Sequence, residues 1–271
     1  MRSVLVAGIV AAVLCVPVLA IDNPHVAGEM QGWDPAADPM VETAPGSGIY
    51  EITFTGLTPG GRYEFKITDG TWDNAIPSAN SWCFADANGE ITITYDSNTY
   101  DDGWSPTYDR IALSTDPGTW TAAGSFQGWD NADPASAMTD QGDGVYLLEL
   151  TDLPLACYFW KPVVTGSWDS ISWDGRSVNT ADMEFCPDLA SDTVRLWVDS
   201  FGGTVRVDII HACPGDLDDD GQIGLSDLSL MLAHYGMTEG AFYVDGDIDG
   251  DGDVDLADLS QLLAVYGTQC G

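Results

Sequence analysis

An oxygen-rich pattern of twelve residues occurs twice near the C-terminus, thirty-one positions apart, and it restricts the fold of that segment severely. Asp216-Leu217-Asp218-Asp219-Asp220-Gly221-Gln222-Ile223-Gly224-Leu225-Ser226-Asp227 recurs as Asp247-Ile248-Asp249-Gly250-Asp251-Gly252-Asp253-Val254-Asp255-Leu256-Ala257-Asp258. From Asp216 to Asp258 there are twelve Asp, one Glu and no Lys or Arg, within a chain of net charge −35. Carboxylates this dense repel one another and oppose compaction until cations neutralise them. Ca²⁺ is a hard cation that takes six to eight oxygens, and a twelve-residue loop supplies them from positions 1, 3, 5, 7 and 12, with Gly at 6 for the sharp turn. Those positions are Asp216, Asp218, Asp220, the Gln222 carbonyl and Asp227, and then Asp247, Asp249, Asp251, the Asp253 carbonyl and Asp258. Asp255 at position 9 adds a further oxygen in the second loop, whereas Gly224 leaves that place to water. Two bound Ca²⁺ ions are expected, with Ile223 and Val254 at position 8 pairing the loops.

Each loop runs into a helix-period stretch, Leu228, Met231, Leu232, Tyr235 and then Leu259, Leu262, Leu263, Tyr266, stopped by Gly236 and Gly267. Cys213-Pro214-Gly215 precedes the first loop, so no helix enters it. Residues 212–271 therefore resemble a dockerin module, the calcium-dependent anchor that plugs glycan-degrading proteins into cohesin modules. The resemblance implies two half EF-hands related by a two-fold, with Asp at position 12. It also implies a cohesin-like partner read at loop positions 10 and 11, here Leu225, Ser226, Leu256 and Ala257. The exit helices carry no Lys or Arg, which departs from many members.

A second repeat fills the rest of the chain. Ala27-Gly28-Glu29-Met30-Gln31-Gly32-Trp33-Asp34 returns ninety-six residues later as Ala123-Gly124-Ser125-Phe126-Gln127-Gly128-Trp129-Asp130. The same spacing relates Trp72-Asp73 to Trp168-Asp169, giving units at 21–114 and 115–211 joined at Thr115-Asp116-Pro117-Gly118. Tyr50, Ile52, Phe54, then Tyr63, Phe65, Ile67, then Ile91, Ile93, Tyr95 alternate with polar residues, and Tyr146, Leu148, Leu150 and Val194, Leu196, Val198 do so in the second unit. Period-two alternation broken by Gly, Pro, Asn and Asp predicts antiparallel β-structure. The expected fold is mainly β: two tandem immunoglobulin-like sandwiches followed by the small helical calcium module.

Aligned with a one-residue gap, the units each carry Trp, Lys, Trp: Trp33, Lys66, Trp72 and Trp129, Lys161, Trp168. An indole stacks on the apolar face of a sugar and a nearby ammonium donates to its hydroxyls; core packing is the plain alternative, since Trp is heavily buried on average. Alternation directs Lys66 outward. Gly28-x-x-x-Gly32-Trp33, Gly60-x-x-Tyr63-x-x-Lys66 and Gly70-x-Trp72 are similar to early-set sandwich modules of starch-active enzymes, a pattern shared by glycogen-binding and pullulanase-associated modules. The resemblance implies that these Trp and Lys residues contact an α-glucan. A late Asn used by glycogen-binding members has no match here, where Ile91-Thr92-Ile93 fills the last strand.

Arg2, the apolar run Val4 to Val18 and Val18-Leu19-Ala20 form a signal-peptide pattern over 1–20, predicting a secreted or cell-surface protein with no transmembrane segment. In an exported chain Cys213 and Cys270 tie the acidic segment together and Cys157 and Cys186 pair within one unit, leaving Cys83 over. The acidic charge excludes nucleic acid as partner. Paired carboxylates placed for glycoside hydrolysis, GxSxG, HExxH and phosphate loops are missing. The function expected is non-catalytic: calcium-dependent dockerin anchoring of carbohydrate-binding sandwiches in polysaccharide breakdown. A dockerin-bearing glycoside hydrolase and a structural surface protein with spacer sandwiches are the alternatives.

Overall fold

The structure, a computed structural model, describes residues 21–178 and 180–270, so the signal-peptide expectation for 1–20 lies outside the described residues. The first half carries β1 (His25–Gly28), β2 (Asp38–Pro39), β3 (Val41–Glu42), β4 (Ile49–Phe54), β5 (Arg62–Thr68), β6 (Ala75–Phe84), β7 (Ile91–Asp96) and β8 (Arg110–Leu113). The second carries β9 (Trp120–Gly124), β10 (Thr139–Gly142), β11 (Val145–Leu150), β12 (Tyr158–Val164), β13 (Ser170–Ser172), β14 (Gly175–Ser177), β15 (Met183–Phe185), β16 (Thr193–Asp199) and β17 (Thr204–Ile210). Two helices follow, α1 (Leu225–His234) and α2 (Leu256–Val265).

The strands form four small antiparallel sheets. In the first half the orders are β2-β1-β5-β6 and β3-β4-β7-β8; in the second they are β14-β13-β12-β15, with β9 beside β12, and β10-β11-β16-β17. Alternation sets which residues are buried: Ile91, Ile93 and Tyr95 of β7 and Val194, Leu196 and Val198 of β16 point inward, with half-exposed neighbours between them. Each half has its own core cluster, one around Phe65, Ile67, Ile93 and Tyr95, the other around Trp120, Trp160, Ile171 and Leu196. The repeat survives in the register. Ala27 faces Lys66 and Gly28 faces Phe65 across β1–β5, as Ala123 faces Lys161 and Gly124 faces Trp160 across β9–β12.

The tandem expectation needs one correction, because the halves are fused through buried contacts. Trp82 of β6 is fully buried in the core cluster of the second half, and its Nε1–H donates to Ser170 O at 3.1 Å. Val178 N–H donates to Asn80 O, Ser105 bridges to Val205, and Arg62 forms a bidentate pair with Asp169 at 2.7 and 2.5 Å. The physical reason is strand alternation at the far end of the ten-residue β6: Cys83 faces the first core, while Trp82 and Phe84 leave by the opposite face and pack into the second.

The helical segment has a third cluster, centred on Met231, Leu262, Ile223 and Val254. Cys213–Cys270 closes it and Cys157–Cys186 lies in the second half. It docks on the second half through Leu189, the Ser191 hydroxyl on Asp219, and the His211 ring stacked on Tyr243. No helix among the described residues is long and apolar enough to cross a membrane.

Cys83 is the free thiol of the described residues, and burial pushes its pKa up to about 12. We expect Trp82→Ala to cost roughly 3–5 kcal/mol in denaturant unfolding. The native thiol should stay unlabelled by iodoacetamide at pH 8 and become reactive in that variant. Rapid labelling of the wild type would contradict the shared core.

Candidate functional site

The repeated octapeptide builds the same loop twice. Trp33 N–H donates to Gly28 O at 2.9 Å and Trp129 N–H to Gly124 O at 2.9 Å. A side-chain amide then clamps the following turn. Gln31 donates to Asp34 O (2.7 Å) and accepts from Asp34 N–H (2.8 Å), while Gln127 does the same with Asp130 at 2.5 and 2.7 Å. Gly28 and Gly124 are required by close approach: a Cβ would sit 2.6 Å from Glu64 O in the first case and 2.7 Å from Phe159 O in the second. Both tryptophans are held in the left-handed region, at φ +66° and +64°. That conformation disfavours any L-residue with a bulky side chain. An unfavourable backbone maintained identically in two copies marks a position where side-chain display matters.

A second tryptophan lies beside each loop. The Trp33 and Trp72 ring centroids are 6.4 Å apart and tilted by 36°, and Trp72 is 49% exposed. In the second half the turn leading to Trp168 is tied to the Trp129 loop through Asn131, whose backbone carbonyl accepts from Gly166 and whose amide donates to Ser167 O. Trp168 is 48% exposed. The two lysines are more constrained than an outward-pointing ammonium. Lys66 Nζ donates to the carbonyls of Pro77 and Ser78 at 2.5 and 2.7 Å, and burial lowers its pKa. Lys161 Nζ bonds Thr180 O and pairs with Asp182 at 2.5 Å while lying 5.9 Å from the Trp129 ring centre. Their donors are engaged by protein oxygens, which leaves the half-exposed indoles as the accessible groups of each constellation.

Trp173 and Tyr108 are exposed aromatics that the repeat does not reveal. Trp173 occupies the two-residue turn between β13 and β14, closed by the Ser172–Gly175 pair. Such turns ordinarily take Asn, Asp or Gly, so an indole there is the signal; its counterparts in the first half are Pro77 and Ser78.

The acidic loops have the geometry of a cation cradle. Asp216, Asp218 and Asp227 bring oxygens within 4.8 Å of one another, as do Asp247, Asp249 and Asp258. Gly221 and Gly252 turn the chain at φ +83° and +90°. Asp227 accepts from Leu217 and Gly224 N–H, and Asp258 accepts from Ile248 and Asp255 N–H, fixing the carboxylate of position 12 under each loop. Asp220 and Asp251 accept from Gln222 and Asp253 N–H. Burial, aided by the Asp227 and Asp218 charges, raises the Asp216 pKa; desolvation with Asp258 and Asp251 does so for Asp249. An all-oxygen donor set, four buried carboxylates and no Lys or Arg from residue 212 onward fit a hard divalent cation. Asp255 also caps α2, with Oδ1 accepting from Ala257 N–H at 2.6 Å.

Ile223 and Val254 do not pair with each other. Ile223 exchanges hydrogen bonds with Thr268 and Gly267, and Val254 with Met237 and Gly236. With no α-helix entering either loop, the backbone at position 8 is met by the segment leaving the opposite helix. Leu225, Ser226, Leu256 and Ala257 are all exposed, joined by Leu232, Leu263, Tyr235 and Tyr266 on the outer helix faces.

Residues 17–102 match the family model of the pullulanase X25 domain. An alpha-amylase from Niallia circulans is 25% identical over 198 residues, covering 66% of this chain but 14% of that protein, so the chain spans a small part of its relative. Among solved structures, SusF from Bacteroides thetaiotaomicron aligns at 16% identity with a TM-score of 0.29, over 72% of this chain and 50% of that one. Pullulanase from Bacillus acidopullulyticus aligns at 13% identity with a TM-score of 0.23, over 68% and 28%. Scores this low do not establish a common fold.

Replacing Trp33 separates display from backbone strain. Trp33→Gly should be more stable than Trp33→Ala by about 1 kcal/mol, because glycine alone accepts φ +66° freely. Equal melting temperatures would show that the loop relaxes.

Proposed function

We propose that the protein is an exported, non-catalytic carbohydrate-binding protein that presents two tryptophan faces to an α-glucan and is anchored through a calcium-dependent C-terminal module. The observation that carries the binding reading is the twice-built loop that forces Trp33 and Trp129 into the left-handed region beside exposed Trp72 and Trp168. The X25 match over 17–102 and the name of one relative, an alpha-amylase, support α-glucan as the ligand class. The paired sheets and core clusters support two sandwich units at 21–114 and 115–211. Two disulfides suit an oxidising, extracellular location.

In the acidic module Asp216, Asp218, Asp220, the Gln222 carbonyl and Asp227 would hold one Ca²⁺, and Asp247, Asp249, Asp251, the Asp253 carbonyl and Asp258 the other. The ion supplies charge neutralisation, which the crowded carboxylates need in order to stay folded. Leu225, Ser226, Leu256 and Ala257, placed outward by the loop ends, then offer an apolar face to a cohesin-like partner. A spacer role for the two halves is the second reading, favoured by the engagement of Lys66 and Lys161 with protein oxygens.

Affinity electrophoresis in soluble starch distinguishes the two. The wild type should be retarded, Trp33→Ala and Trp129→Ala each less so, and the double variant hardly at all; an unretarded wild type would favour the spacer. For the module, EDTA should abolish its helical circular dichroism, and Ca²⁺ at a hundred times its Kd should restore about 2.7 kcal/mol per site. A signal indifferent to EDTA would remove the ion from the account.

A further inference from the structure

Where the halves meet, a cavity of about 420 Å³ opens between Pro77, Pro106, Tyr108 and Asp109 of the first half and Trp173 and Arg176 of the second. Its volume falls in the range of small-molecule sites. Trp173 is 56% exposed and Tyr108 45%, which leaves two aromatic rings on the rim of a concave surface. At the wall, Arg176 is 1% exposed and its guanidinium rests on the Trp82 ring at 4.5 Å. Nη2 donates to Ser200 O, while Nε and Nη1 have no hydrogen-bond partner among the described residues. Buried donors without acceptors are costly and rare. Burial lowers this guanidinium to about 10, so it remains charged at neutral pH. On the first-half side Asp109 is held by the Tyr95 hydroxyl at 2.5 Å and still offers acceptor capacity.

We infer that this seam is a saccharide-binding site separate from the Trp33 and Trp129 faces, taking one or a few rings of a neutral glycan against Trp173. Aromatic faces for the apolar side of a ring and the Asp109 carboxylate as acceptor for its hydroxyls match a neutral saccharide, with the buried Arg176 at the wall behind them. The surrounding acidity, with Asp109, Asp174 and a chain charge of −35, disfavours an anion. A second cavity, of about 400 Å³, shares Trp173 and includes Asp182, the partner of Lys161 beneath Trp129. The two cavities meet at Ser105 and Trp173, so a chain bound in the first can extend past the Trp173 ring into the second. The class of ligand rests on the carbohydrate reading above; the location does not.

Calorimetric titration with maltohexaose tests both. A variant stripped of the outer faces (Trp33→Ala, Trp72→Ala, Trp129→Ala, Trp168→Ala) should keep one weak site, and adding Trp173→Ala should weaken it at least about tenfold, or 1.4 kcal/mol. Tyr108→Ala should weaken it several-fold, and an unchanged circular dichroism spectrum confirms that the variants fold. Loss of all binding in the folded stripped variant, or a residual site insensitive to both Trp173→Ala and Tyr108→Ala, overturns the seam site alone. A wild type that does not bind maltohexaose overturns the carbohydrate reading and the seam site with it.

Discussion

One indole joins this molecule. Trp82 leaves the first half on the end of a ten-residue strand and is buried in the core cluster of the second, donating to Ser170 O and carrying Arg176 on its face. Burying so large an aromatic contributes more than any single polar contact across the junction. The Arg62–Asp169 pair and the Ser105–Val205 bridge then set the rotation of one half against the other. The seam cavity is lined by Ser105 from the bridge and by Arg176, whose guanidinium lies on the Trp82 ring.

Rigidity at the junction has a counterpart in the tryptophan loops. Each loop places a bulky residue where glycine would be favoured, and compensates with an amide clamp, a close-approach glycine and a backbone bond to Gly28 or Gly124. These contacts fix the loop backbone, so the point from which each indole departs is the same in both halves. The lysines contribute by a different route from the one their outward register suggests. Their ammonium groups fasten neighbouring segments, the carbonyls of Pro77 and Ser78 in one half and Thr180 and Asp182 in the other.

Local features were legible in the sequence to the extent that their causes are local. Alternation at Ile91, Ile93, Tyr95 and at Val194, Leu196, Val198 predicts inward faces because strand geometry imposes a period of two. The turns at Gly221 and Gly252 follow from the conformational freedom of glycine. Alternation gives the direction in which Lys66 leaves the strand, but not where its flexible four-carbon stem ends, here at the Pro77 and Ser78 carbonyls. Trp82 sits within Ser81-Trp82-Cys83, with nothing in its neighbours to show that its cover comes from residues eighty-eight positions away. Trp173 escaped because a repeat comparison finds what two copies share, and this residue belongs to one copy alone.

The pairing at Ile223 and Val254 shows how a missing element changes what its neighbours do. In a loop flanked by two helices, the position-8 backbone has its partner loop as the nearest unpaired edge. Here neither loop has an entering α-helix, only a 3-10 turn at Tyr243–Asp245 before the second, so the chain leaving each exit helix comes within reach, and Ile223 and Val254 bond to Gly267–Thr268 and Gly236–Met237. Each loop is thereby stitched to the far end of the opposite helix, and Cys213–Cys270 closes the same circuit covalently. The two acidic clusters are consequently coupled through backbone rather than through side chains. Each acidic loop is thus fixed to the C-terminal end of the other loop's helix, while Leu225 and Leu256 stand at the helix starts beside the loops themselves.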